Sequence, residues 1–199
     1  SSMSLAPDGR RLAYGAYSAR ANIWSLPIPF GAPASAEAAT PVTTGNQVIE
    51  SMRVSRDGRW LVFDSDLRGN ADIYRVPVSG GQPEQLTSDP ADEFAPDLSP
   101  DGRSVAYPSW RTGTRDIEIK PLDGGPVERV TDTPAQESYP LWSPDGRAIA
   151  FYDQVRPFTI YLVRRGPDGH WSSPPSLLVS PGISADWSQD GASIAYVAA

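Results

Sequence analysis

The 199 residues contain no cysteine, one histidine and one lysine, Lys120, among 17 basic residues. Without cysteine there are no disulfides, thiolate metal sites or thiol nucleophiles, and reducing and oxidising compartments both stay open. No apolar run approaches the roughly 20 residues that a membrane-crossing helix needs. Ser1-Ser2-Met3-Ser4 lacks the basic then apolar order of a signal peptide, so periplasm and cytoplasm both stay open, and a start on serine with Met only at position 3 leads us to expect a chain cut from something longer or processed. With 24 acidic residues against 17 basic ones the net charge is −7. That balance repels a phosphate backbone, and no basic stripe offsets it, so direct nucleic-acid contact is not expected.

Catalytic groups are equally scarce. His170 lies in the turn Gly169-His170-Trp171, a poor place for a general base, and no Gly-x-Ser-x-Gly elbow accompanies it. No glycine-rich loop with a lysine is present to cradle a nucleotide phosphate. Asp64-Ser65-Asp66 with Asn70 and Asp72 faintly matches the opening of a calcium loop, but the glycine offset is wrong and no bidentate glutamate closes it. No catalytic residue, metal or cofactor is expected.

What the chain has in abundance is turn chemistry: 21 proline and 17 glycine residues, which disfavour long helices and favour many short strands. Self-comparison is more informative. The stretch Leu5-Ala6-Pro7-Asp8-Gly9-Arg10 returns around Asp57, Asp101, Asp145 and Asp190, at steps of 49, 44, 44 and 45 residues. A hydrophobic triplet follows each time, as in Leu61-Val62-Phe63 and Ile149-Ala150-Phe151. A second marker keeps nearly the same period: Asn22-Ile23-Trp24, Asp72-Ile73-Tyr74, Asp116-Ile117-Glu118 and Thr159-Ile160-Tyr161. Ser-Pro-Asp-Gly suits a type I turn, with serine accepting at the first position, proline presetting φ, and glycine closing without steric cost. The aspartates Asp8, Asp57, Asp101, Asp145 and Asp190 are therefore expected to be structural.

Within a unit the pieces read as four strands. In the second they are Ser51 to Ser55, Trp60 to Phe63, Asp72 to Pro77 and Glu84 to Thr87. The units run approximately 1–46, 47–90, 91–134 and 135–181, with a partial unit over 182–199, all within one domain. A sheet of about 44 residues cannot bury both faces alone, so it stacks on its neighbours. Leu61 and Phe63 are expected to face one neighbour and Val62 the other, as are Ile149 and Phe151 against Ala150.

These units resemble the TolB-like or WD40-like (PD40-type) β-propeller repeat family, whose pattern is Trp-Ser-Pro-Asp-Gly-Arg, a hydrophobic-Ala-aromatic triplet, Asp-Ile-Tyr and Leu-Thr. The likeness covers nearly the whole chain and is best over Val54 to Thr87, Leu98 to Thr131 and Trp142 to Tyr161. It departs at Glu118, at Thr159 and in extra residues between Pro27 and Ala39. It implies an all-β propeller of four-stranded antiparallel blades, about four and a half of them here. Related propellers close with six or more, so a fragment is expected, whose unpaired blade edges would favour self-association.

The propeller analogy puts two loop sets on one rim. One offers Asp89, Asp92, Glu93, Phe94, Gln136, Glu137 and Tyr139, and the other Asp66, Arg68, Asn70, Trp110, Arg111, Arg115 and Arg156. Trp110 beside Arg111 has hot-spot composition and leads as a partner surface, with Asp92, Glu93, Phe94 and Tyr139 beside it; the bland alternatives are that Trp110 covers its own blade and that Asp92 and Glu93 are solvated charges. The function expected is a non-catalytic protein- or peptide-binding module of a bacterial TolB-like or sensor/regulatory protein. The alternative is the propeller of a prolyl-oligopeptidase-like hydrolase or sugar lyase whose catalytic part is absent; a single histidine counts against the lyase.

Overall fold

The computed structural model describes residues 3–5, 12–14, 20–28, 33 and 35–198, and Asp8 lies outside them. The chain is all-β: the only helical turn among these residues is a 3-10 turn at Ala36–Ala38, capped by Ser35. In the first unit β1 (Met3–Leu5) pairs with β2 (Leu12–Tyr14), and β3 (Trp24–Ser25) with β4 (Thr40–Pro41). Three complete antiparallel four-stranded meanders follow. The first comprises β5 (Met52–Val54), β6 (Trp60–Ser65), β7 (Asp72–Pro77) and β8 (Glu84–Gln85). The next comprises β9 (Asp97–Leu98), β10 (Ser104–Ser109), β11 (Asp116–Pro121) and β12 (Glu128–Arg129). The third comprises β13 (Glu137–Trp142), β14 (Ala148–Asp153), β15 (Thr159–Arg164) and β16 (Ser176–Val179). A final pair, β17 (Ile183–Trp187) and β18 (Ile194–Val197), ends the series. In the second unit β7 has the expected bounds, whereas β6 runs two residues past Phe63, through Asp64 and Ser65, which are buried.

Each described signature turn is built alike. The carbonyls of Ser55, Ser99, Ser143 and Ser188 accept from Gly58, Gly102, Gly146 and Gly191 at 2.8–2.9 Å. The serine hydroxyl donates to Oδ1 of Asp57, Asp101, Asp145 or Asp190 at 2.6 Å, and that oxygen also accepts from the backbone two residues on at 3.0 Å. These bonds favour the ionised carboxylate and hold all four pKa values low, that of Asp57 at about 2. The turn glycines sit at φ +69° to +70°, a left-handed conformation costly for a side chain with Cβ.

Strand alternation distributes the core between blades. Leu61, Phe63, Tyr74 and Val76 pack toward Ile23 and Val42, while Val62 and Ile73 face Val105 and Tyr107. Ile149, Phe151 and Val163 pack on Ala106, Ile117 and Ile119, and Ala148, Ala150 and Leu162 meet Trp187 and Ile194. Each fully buried aliphatic or aromatic side chain contributes on the order of 1.5–3 kcal/mol, so a blade depends on both neighbours. The threonines of the Leu-Thr marker act as fasteners. Thr43, Thr87 and Thr131 accept from the backbone of Ile23, Ile73 and Ile117 at 2.8–2.9 Å, securing the outer edge of three successive units.

Candidate functional site: the loop rim and the axial cavity

The loops joining outer to inner strands and those joining the two central strands do share one face, and they bind each other. Asn70 donates to the carbonyls of Asp89 and Ala91, and the Ala71 N–H reaches Asp92 Oδ1 at 3.0 Å. The Glu93 N–H reaches the Ala71 carbonyl, and Glu93 bridges to Ser109 of the next blade. Each such loop therefore ties two blades together, and this redistributes the residues expected on the rim.

Asp92 is exposed, but Glu93 is wholly buried, which corrects its reading as a solvated charge. Its carboxylate lies beside the Thr87 hydroxyl but makes no well-formed hydrogen bond, and burial, only partly opposed by Thr87 and Arg111, pushes its pKa up to about 7. Arg111 is not a free hot spot: its Nε pairs with Asp89 at 2.9 Å, and Nη2 lies 3.8 Å from Glu93 and 3.7 Å from Glu118. Glu118 is the departure from the repeat. Its equivalents Tyr74 and Tyr161 stack on Phe63 and Phe151, whereas Glu118 stands opposite Tyr107, and burial raises its pKa. Trp110 is half-buried rather than exposed. Phe94, also half-buried, meets it edge-on at 5.9 Å, and the Arg115 guanidinium covers it at 4.7 Å. Arg115 itself is buried and donates to Gln154 at 2.6 Å. Glu137 is likewise no rim charge: it is buried in β13, accepting from Thr131, from Thr133 at 2.7 Å and from the Ile117 N–H at 3.3 Å. His170 is an exposed loop residue, and Asp64 accepts backbone N–H groups from Glu50, Ser51 and Ala95, joining its blade to the next.

Tyr139 is the aromatic rim candidate that stays exposed, at 43%, and it stacks on Tyr152 with ring centroids 5.1 Å apart and planes within 8°. Its backbone is at φ +53°, and the equivalent residues Ala95 and Ser184 are at +43° and +54°. In β13 and β17 this conformation coincides with a break in register, between Ser138 and Leu141 and between Ile183 and Asp186. Such bulges redirect side chains and are concentrated beside functional sites.

Inside this mouth the inner strands line a common space. Arg53, Asp97, Leu141 and Asp186 occupy the same position in four blades, opposite Val62, Ala106, Ala150 and Ala195. A cavity of about 390 Å³ lies between Arg53, Tyr139, Tyr152, Ser184 and Asp186, and another of about 500 Å³ extends past Asp97, Leu141 and Asp186 toward the signature turns. At that far end Arg56, which stands where the repeat has proline, donates to the carbonyls of Pro144 and Gln189, both at 3.2 Å, and links three blades across the axis. Asp97 accepts from the Trp142 N–H at 2.8 Å, and its pKa is about 7, raised by burial and by Asp186 against the opposing pull of that bond and of Arg53. Sequence reasoning passed over this ring. Its signal was the residue two before each signature serine, which varies among Arg53, Asp97, Leu141 and Asp186 while its surroundings repeat.

No helix of the described residues is long and apolar enough to cross a membrane. Among solved structures, TolB from Acinetobacter baumannii is 21% identical over 97% of this chain and 47% of its own, with a TM-score of 0.69. A chain of the nidogen/laminin complex is 15% identical over 90% of this chain and 67% of its own, with a TM-score of 0.70. The uncharacterised protein Atu1656 of Agrobacterium fabrum is 32% identical over 95 residues, 47% of this chain and 30% of that protein. The chain thus spans about half the length of the TolB structure and under a third of Atu1656. The family model for the TolB beta propeller domain, PD40, matches residues 2–165, and together with the repeated blades this places the chain in the TolB beta propeller domain family.

Proposed function

We propose that this propeller is a non-catalytic module that binds a protein or peptide partner at the mouth of its axial cavity, with Tyr139 as the central contact. The observation that carries this reading is the exposed Tyr139, held at φ +53° and stacked on Tyr152 above the cavity containing Arg53 and Asp186. A rigid aromatic pair offers contact area at little entropic cost, and aromatic anchors of this kind dominate binding interfaces. The similar chain in the nidogen/laminin complex comes from an assembly of proteins, which supports the same class of partner.

The test is selection of phage-displayed random peptides on the whole chain, followed by affinity measurement on Tyr139→Ala. Loss of an anchor worth about 2 kcal/mol weakens binding by roughly 30-fold. Trp24→Ala, at a 59% exposed position outside the cavity, leaves affinity unchanged. Failure to select any peptide, or equal affinity for wild type and Tyr139→Ala, overturns the assignment.

A further inference from the structure

The polar groups of the axial ring are unevenly paired. Among the described residues Arg53 has no carboxylate within 4.0 Å, although Asp186 lines the same cavity and Asp97 the adjoining one. Asp186 is exposed to the cavity and accepts no hydrogen bond among the described residues, whereas Asp97 is held by the Trp142 N–H. Four equivalent positions therefore carry two carboxylates, one guanidinium and one leucine at one level of the axis, with the stacked faces of Tyr139 and Tyr152 at the mouth.

Resting on the peptide-binding reading above, we infer that the axial cavity selects a peptide segment bearing a cationic side chain, which passes the Tyr139–Tyr152 pair and ends between Asp186 and Asp97. Three features favour a cation. Above pH 7, where Asp97 is ionised beside Asp186, the ring has one negative charge more than it has guanidinium groups. Aromatic faces attract ammonium and guanidinium groups, and do so more strongly where water is excluded. The net charge of −7 also draws a basic segment toward the domain from a distance. Arg53 opposes such a ligand as a built-in competitor for the same carboxylates. Arg56 spans the far end between the carbonyls of Pro144 and Gln189 and places a second guanidinium there, so the Tyr139 side is the less cationic approach.

The competitor gives the experiment two opposite signs. The probes are N-acetylated, C-amidated heptapeptides Ala-Phe-Ala-X-Ala-Leu-Ala, with X as arginine, lysine, citrulline, leucine or glutamate, titrated into the whole chain by fluorescence polarisation. The arginine and lysine peptides are expected to bind at least 10-fold more tightly than the citrulline and leucine peptides, and the glutamate peptide most weakly. Asp186→Asn is expected to weaken the arginine peptide at least 10-fold, whereas Arg53→Gln tightens it 3- to 10-fold. Both residues are exposed, and unchanged melting of the two variants keeps the comparison free of misfolding. Equal binding of all five peptides overturns the inference while leaving peptide binding intact. Tighter binding of the glutamate peptide, or weaker binding by Arg53→Gln, overturns it in favour of an anionic ligand. Absence of binding by every peptide counts against both readings.

Discussion

Replacing Glu93 with glutamine keeps the shape of the side chain and removes a charge that the fold tolerates poorly. Glu93 is wholly buried, its carboxylate has only the Thr87 hydroxyl nearby and no well-formed hydrogen bond, and the nearby cation, Arg111, is shared with Asp89 and Glu118. Burial raises its pKa from 4.5 to about 7. The unfolded chain therefore releases this proton near pH 4.5 while the folded chain holds it until about pH 7, so stability falls as pH rises through that interval and levels off above it. The full difference amounts to ~3 kcal/mol, on the order of 6–12 °C in melting temperature for a chain of this size, as an upper bound. Glu93→Gln abolishes this contribution. Melting followed by circular dichroism at constant ionic strength is expected to show the variant several degrees above wild type at pH 8 and within about 2 °C of it at pH 5. Some slope persists in the variant, because Asp97 has a similarly raised pKa of about 7. A variant that melts below wild type at pH 8, or whose pH slope equals that of wild type, refutes the claim that Arg111 compensates the buried Glu93 charge only in part.

Arg111→Met tests the same cluster from the other side. With this guanidinium gone, Glu93 loses its counter-charge beside Glu118, and the variant is expected to lose about 2–4 kcal/mol at pH 8 and less at pH 5, read by urea unfolding at the two pH values. Trp110→Ala removes the packing of Phe94 and the Arg115 guanidinium and is expected to cost about 2–3 kcal/mol of stability. The affinity of the folded Trp110→Ala variant for peptides selected at the Tyr139 mouth stays within about threefold of wild type; unchanged melting together with lost peptide binding would restore Trp110 as a contact residue.

The blades were legible because their determinants are local. A signature turn needs a serine to accept, an aspartate to collect two donors and a glycine at positive φ, and these lie within four consecutive residues such as Ser55 to Gly58. The alternation of Leu61, Val62 and Phe63 likewise specifies two buried faces, because successive strand residues point to opposite sides. The turn that shapes Tyr139 was not legible: nothing in Glu137-Ser138-Tyr139-Pro140 announces a bulge, and only pairing with β14 shows the register break.

The order of strands, the stacking of sheets and the roles of the turn residues followed from the amino-acid sequence alone, since period, polarity and φ preference act over a few neighbouring positions. Which charges meet water was decided only in three dimensions. Glu93 and Asp92 are adjacent in the chain, yet the strand bridge to Ser109 carries one into the space between two blades and leaves the other in solvent. The same holds for the axial ring, where Arg53, Asp97 and Asp186 lie 44 or more residues apart and share an environment only because successive blades are arranged around one axis.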